Sequence, residues 1–530
     1  MGTDVLFAIP GNLVQVYQSM AVGHHTEPPA KARFMASYLI RRGIGVDLID
    51  ATITGDSPKG VAEKVRDANP ALVVIPVYGF NPSSSTHTMP AARALAVAIK
   101  QLCPTTPILM SGTHPAALPE KTLRDEPIDF VCAGEGPITV HELLQAIQAG
   151  GALADIRKVR SLWYWDSGAV VHNAAAPLID LNIEPSSPAA WALMDPRRYQ
   201  ADDWHTFYVP PEQRMGYANP YSREGCPFSC GFCNIQAPFR EGESLLGRDS
   251  NSFRELSPAL FVAELEHLVG TYGIRFFKIP DEMFGLGRHA LEIAKAVKER
   301  FGDELNFWCY YRVDTCQPAH LDALRAAGIR WLGLGIEAAN STVRSGQDKG
   351  FTDEKVHAVV ARVVAAGLNV GLNYIFGLPG DTMETIEATY DLACELNSPF
   401  VNFYCNQCLP GSTQYAEAKA AGYPLPERIG GPGWIGHSQY APESEPFYMG
   451  DALKPAQILA FRDWAQASYF DRPEWISMIR TRPGFGEVAA RTMAEKVERV
   501  RALKRDLFGG RTFVELSREE KGMLVPRSVK

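Results

Sequence analysis

Three cysteines, Cys226, Cys230 and Cys233, stand in the run Arg223-Glu-Gly-Cys-Pro-Phe-Ser-Cys-Gly-Phe-Cys-Asn234, with spacing C-x-x-x-C-x-x-C. Three thiolates so placed can hold three irons of a [4Fe–4S] cube, leaving the fourth iron to a ligand from elsewhere. An iron open to an outside ligand is a place for chemistry, which points to catalysis rather than electron storage. Zinc is the alternative. It takes four ligands, usually in C-x-x-C pairs, and no fourth cysteine or histidine follows at that spacing; the next cysteine is Cys309. A disulfide reading is weaker still, because three is odd.

These cysteines need a scaffold, and 530 residues are too many for one ordinary core. A hydrophobic content of 46% and a charged content of 21% suit a globular protein. A net charge of −8 argues against a nucleic-acid-binding surface. Ten cysteines over this length suggest no disulfide framework, and the chain reads as cytoplasmic. The opening apolar run has no basic region before it and reads as a first strand, not a signal peptide. No apolar stretch approaches the roughly 18 residues that a membrane span needs.

Residues 1–155 alternate short apolar runs with helical stretches, which predicts a doubly wound parallel sheet, an α/β fold. Ligands of such sheets bind beyond the carboxyl ends of the strands. There the sequence places Pro10-Gly-Asn12, Tyr78 through Thr86, Ser111-Gly-Thr-His-Pro115 and Ala133-Gly-Glu-Gly136, turns rich in glycine and hydroxyl groups. Residues 156–217 read as a hairpin, turning at Asp166-Ser-Gly168, and a Pro-rich linker. Residues 218–421 resume the β-α alternation with about six units, a partial barrel. Barrel sites lie on the loops after the strands, which is where the cysteine loop falls. Residues 422–530 open Pro- and Gly-rich and become mostly helical.

The cysteine spacing, with Phe232 just before the last cysteine, resembles the radical S-adenosylmethionine (SAM) superfamily. The resemblance implies that the amino and carboxylate groups of SAM chelate the open iron, and that an electron from the cluster splits SAM into methionine and a 5′-deoxyadenosyl radical. It also implies roles for residues at the strand ends. Glu282, in Pro280-Asp-Glu-Met-Phe284, occupies the place where the superfamily binds the SAM amino group. Arg312 is expected to pair with the SAM carboxylate, and Glu337 to reach a ribose hydroxyl or Arg312. Asn373 and Leu378, in Asn373 through Asp381, resemble the adenine-side motif, and Tyr404 follows on the last strand. Each is weak alone; in this order after the cysteine loop they reinforce one another.

The first domain resembles the cobalamin-binding domain fused to many radical SAM enzymes. Ser111-Gly-Thr-His-Pro115, Leu118-Pro-Glu120 and Asp129 through Gly136 carry the resemblance. It implies a doubly wound cobalamin-binding domain, a partial radical SAM barrel and a helical extension. The expected cobalamin contacts are Asn12, Gln15, Tyr78, Asn81, Ser83, Ser84, Ser85, Gly112, His114, Glu135 and Gly136. One departure is that the D-x-H-x-x-G motif, whose histidine ligates cobalt, does not occur, and His24-His25 lack its pattern. Tyr78, Asn81 or water is then left for the lower face of cobalt, and His114 is expected at the cofactor's periphery. The alternative is a Rossmann-like domain with another nucleotide or no ligand; no G-x-G-x-x-G follows the first strand, which disfavours NAD.

Together these resemblances imply a cobalamin-dependent radical SAM methyltransferase. Methylcobalamin would supply a methyl to an unactivated carbon, or a phosphinate phosphorus, of a small-molecule intermediate. Trp308, Tyr310, Trp434 and His437 are candidates for lining the substrate pocket, though aromatics there are as readily core. The alternatives are a cyclase or rearrangement enzyme with the same cofactors, and a non-catalytic cobalamin or iron–sulfur sensor. The expected partners are a small-molecule substrate and an electron donor such as flavodoxin or ferredoxin, with no nucleic acid and no membrane span; the chain is expected to be a monomer.

Overall fold

A computed structural model describes residues 2–11, 25–79, 84–202, 204–206, 209, 213–240, 252–423, 425 and 446–504. Five parallel strands, β1 (Val5–Ile9), β2 (Val46–Asp50), β3 (Leu72–Val77), β4 (Ile108–Gly112) and β5 (Phe130–Cys132), lie in the order β2-β1-β3-β4-β5. Apolar residues run along these strands because helices cover both faces. Val5 and Phe7 pack with Met35, Leu39 and Leu143 on one face, while Leu6 and Ala8 pack with Ile75, Leu95 and Ile99 on the other. The expected hairpin, β6 (Leu162–Asp166) and β7 (Ala169–His172), extends this sheet antiparallel beyond β5. The strand order reverses between β1 and β3, and a cavity opens at their carboxyl ends, lined by Ile9, Pro10, Asp50, Thr52 and Tyr78.

The second sheet has six parallel strands in chain order: β8 (Tyr217–Ala218), β11 (Phe276–Ile279), β12 (Asn306–Arg312), β13 (Ile329–Glu337), β14 (Asn369–Phe376) and β15 (Phe400–Cys405). This is the expected partial barrel. Between β8 and β11, a two-residue antiparallel ladder of β9 (Arg223–Glu224) and β10 (Arg254–Glu255) closes the base of the cysteine loop.

Part of the segment expected to be a linker is built into the barrel. Trp204 lies on the floor, 4.9 Å from Trp308, 5.1 Å from Trp331 and 5.0 Å from Phe400, ring centre to ring centre. Beside it, His205 is fully buried and pairs through Nε2 with Asn306 Oδ1 at 2.9 Å. Burial lowers its pKa to about 4, so it is neutral at pH 7. At the other edge the helix Pro455–Asp471 covers β15, where Arg462 donates to the Phe403 carbonyl at 2.8 Å. No helix among the described residues is long and apolar enough to cross a membrane.

Candidate active site

The cysteine loop follows β9 and is stitched to the ends of other strands. The Cys233 amide donates to the Cys230 carbonyl at 2.9 Å, and the Gln236 side chain donates to the Cys226 carbonyl. Asn234 donates to the Pro410 carbonyl at 3.2 Å, and the Gln414 amide donates to the Gly231 carbonyl at 2.9 Å, tying the loop to the segment after β15. Gly231 packs against the end of the Gln347 side chain, which would have to shift to admit a Cβ, 2.7 Å away.

Burial pushes the Cys226 thiol up to about 12 and raises Cys230 and Cys233 as well. Thiolates at these positions therefore need added positive charge, which an iron cluster supplies. Among the described residues no group of three or more His, Cys, Asp or Glu converges to hold a single metal ion. A cube places each thiolate on a different iron, so its ligands need not converge on one point.

Cations gather on Cys230. Arg312, the last residue of β12, donates to Cys230 Sγ at 3.2 Å and lies 4.0 Å from the Phe228 ring centre. Its remaining bonds go to Asp314, through Nε and Nη2 at 2.9 Å each, and to the Asp348 carbonyl at 3.1 Å. Arg312 and Glu337 both have partners within the chain. Arg312 is held against Cys230 and Asp314. Glu337 meets neither Arg312 nor open space: it forms a buried ion pair with Lys349. Glu337 has φ +68° at a bulge between β13 and β14. A Cβ on Gly335 would come within 2.6 Å of both members of this pair, so glycine makes their room.

Phe232 packs with Ala338, Val343, Ile375 and Leu378, an apolar patch at the barrel mouth. The turn carrying Leu378 is closed by Asp381, whose carboxylate accepts from the Gly377 and Leu378 amides at 2.9 Å each. On the inner face, Asn373 Oδ1 accepts from Asn402 at 3.0 Å, and Tyr404 is 41% exposed. Trp308 is 4% exposed. It is buried in the floor, donating to the Tyr217 hydroxyl at 2.7 Å, with Tyr310 against it at 4.9 Å. Trp434 and His437 lie outside the described residues.

Glu282 follows β11 and keeps a buried Oε2 with no hydrogen-bond partner among the described residues. Burial, reinforced by Glu224 and Asp281 and opposed by Lys31, raises its pKa to about 7. A buried, partnerless carboxylate oxygen is suited to an ammonium group. Lys31, from the first turn of the N-terminal domain's helix Ala30–Ile40, pairs with Glu224. Lys31, Tyr78, Thr113 and Glu135 form one wall of a cleft, and Ile235, Pro238, Phe239 and Glu282 form the other. The carboxyl edges of sheet and barrel therefore face each other.

On the sheet's edge the hydroxyls of Ser111, Thr113 and Thr139 are buried and lack partners among the described residues. This suits a ligand rich in polar groups, such as cobalamin. Tyr78 faces the cleft; Ser84 lies at the start of the helix Ser85–Leu102, its carbonyl accepting from Thr88 at 3.2 Å. Other expected contacts have partners or close neighbours within the chain. Ser85 donates to the Val77 carbonyl. His114 is buried beside Thr86, Nδ1 to Oγ1 at 3.0 Å, and burial lowers its pKa to about 3, so it buttresses the turn as a neutral ring. Glu135 pairs across the cleft with Arg254. A Cβ on Gly112 would lie 2.0 Å from the Val77 carbonyl oxygen, and one on Gly136 2.3 Å from Met35 Sδ. Asn12, Gln15, Asn81 and Ser83 lie outside the described residues. Sequence reasoning missed Lys31, Glu224, Lys349 and Thr139, whereas Ser111 and Thr113 stand in a turn that the sequence already marks as hydroxyl-rich. Lys31 carried a signal: a cation in the first turn of a helix opposes the macrodipole, which suggests a distant partner.

The radical SAM superfamily matches this chain over residues 222–393, and the B12 binding domain matches it over residues 20–144. An uncharacterized methyltransferase, PH0819, of Pyrococcus horikoshii is 26% identical over 397 residues, covering 74% of this chain and 79% of its own. The anaerobic magnesium-protoporphyrin IX monomethyl ester cyclase of Cereibacter sphaeroides is 26% identical over 382 residues, covering 71% of this chain and 58% of its own. The solved structure of the radical SAM methyltransferase TsrM from Kitasatospora setae, with cobalamin and a [4Fe–4S] cluster bound, superposes with a TM-score of 0.60 at 20% identity, covering 80% of this chain and 76% of its own. The chain thus carries a B12-binding domain and a radical SAM domain, and the two together imply a [4Fe–4S] cluster, SAM and cobalamin as its cofactors.

Proposed function

We propose that this enzyme transfers a methyl group to an unactivated carbon, or a phosphinate phosphorus, of a small-molecule biosynthetic intermediate. The observation that carries the reading is the cleft in which the sheet's ligand edge meets the barrel mouth. When bound, the cofactors supply the hard chemistry, a radical source on one wall and a methyl-carrying cobalt on the other. The chain's own residues bind and position. Cys226, Cys230 and Cys233 hold the cluster. Glu282 takes the SAM ammonium, and Phe232, Ile375 and Leu378 offer an apolar seat to its adenine. Ser111, Thr113 and Thr139 offer hydroxyls to cobalamin, and Tyr78 faces the cleft from the sheet side. Ion pairs that cross the cleft, such as Arg254–Glu135, help to exclude water.

All ten cysteines are free, which suits a reducing compartment such as the cytoplasm and a low-potential donor such as flavodoxin or ferredoxin; we read the chain as a monomer. The test is anaerobic reconstitution with iron, sulfide and cobalamin, followed by turnover with methyl-deuterated SAM and candidate substrates. The expected products are 5′-deoxyadenosine, S-adenosylhomocysteine and a substrate carrying the deuterated methyl. The cyclase relative favours a second reading, cyclisation with the same cofactors. A transformed substrate with no S-adenosylhomocysteine and no deuterium would establish it in place of methyl transfer.

A further inference from the structure

We propose that Lys31 is a positioning residue that couples SAM loading of the barrel to seating of cobalamin on the N-terminal domain. The inference rests on the reading that Glu282 takes the SAM ammonium. Lys31 reaches out of its own domain to Glu224, two residues before Cys226, and lies 4.6 Å over the Tyr221 ring centre. It shares one cleft wall with Tyr78 and Thr113 and faces Glu282 across it. The same lysine also lines the cavity at the carboxyl ends of β1, β2 and β3. It therefore touches both ligand edges.

The charge count is uneven. One ammonium faces two carboxylates, and each carboxylate keeps a buried oxygen without a partner among the described residues, Glu224 Oε1 and Glu282 Oε2. Buried carboxylate oxygens without donors are costly. A second ammonium on Glu282 relieves that cost and leaves Lys31 committed to Glu224. Binding of SAM in the barrel thus tightens the docking of the helix Ala30–Ile40, which borders the sheet's ligand edge. Coupling of this kind is reciprocal.

The test uses the full-length, cluster-reconstituted enzyme without reductant, so that no turnover occurs. Affinity for hydroxocobalamin is measured with and without saturating SAM. In the wild type, SAM is expected to tighten cobalamin binding about fivefold or more. In Lys31→Met the ratio falls to about one, while Lys31→Arg retains part of it. The fold is expected to survive, because Arg33–Glu264 and Lys278–Glu27 still join the domains. As a check that needs no variant, SAM added to the wild type should slow hydrogen exchange in residues 30–40. An unchanged ratio in Lys31→Met, a ratio of one in the wild type, or unaltered exchange overturns the proposal. Failure of methyl transfer would show in the products and not in this ratio. Failure of the Glu282 assignment would show as unchanged SAM affinity in Glu282→Gln.

Discussion

Glu282 and Arg312 show how burial assigns roles that residue type leaves open. Both were legible as strand-end residues, but only the surroundings separate their tasks. Glu282 is protonated below its pKa of about 7, and a neutral carboxyl cannot pair with an ammonium. SAM affinity measured by equilibrium dialysis should therefore weaken as pH falls from 7 to 5, approaching tenfold per unit, and level off above 7. Glu282→Gln should bind weakly with a flat profile; a sloping profile in that variant would move the titration elsewhere. Arg312 donates directly to Cys230 Sγ, and hydrogen bonds to cluster sulfurs help set the reduction potential. Arg312→Met should make the midpoint more negative in an EPR-monitored titration, with little change in SAM affinity. Loss of SAM binding at an unchanged potential would give Arg312 the carboxylate role. The cysteines were readable because their spacing is local. Glu224 and Lys349 were not, because their meaning lies in partners on other elements.

At the scale of elements, the β-α alternation was readable because strands covered on both faces are continuously apolar, as β3 is along its whole length. The barrel floor was not readable. Trp204 sits in Pro-rich sequence without periodicity, and only the fold brings it against Trp308, Trp331 and Phe400 on three different strands. An aromatic packed this way contributes through buried area and ring contacts. Trp204→Ala should destabilise the protein by about 3–5 kcal/mol in denaturant unfolding. A cost below about 1 kcal/mol would show that the segment merely rests on the barrel. The hairpin β6–β7 was visible as a pair, but its docking on β5 depends on an edge that only the finished sheet presents.

Across the whole molecule, ion pairs between the two domains decide whether they behave as one unit. Arg33 leaves the N-terminal helix, pairs with Glu264 on the barrel helix Pro258–Tyr272 at 2.7 Å, and stacks 4.0 Å from the Trp191 ring centre. Its second nitrogen donates to the Asn219 carbonyl at 2.9 Å, beside β8. Lys278, inside the barrel, pairs with Glu27 at 2.9 Å. These groups are nearly fully buried, so removing one member leaves a charge without compensation, which typically costs about 3–5 kcal/mol. Parallel sheets joined by buried charges should lose their structure together. Unfolding of the wild type, followed by the fluorescence of an N-terminal and of a barrel probe, should therefore give coincident transitions. In Arg33→Met the uncompensated carboxylate of Glu264 favours separation of the domains, and the two transitions should part. Coincident, unshifted curves in that variant would mean that apolar packing alone joins the sheet to the barrel.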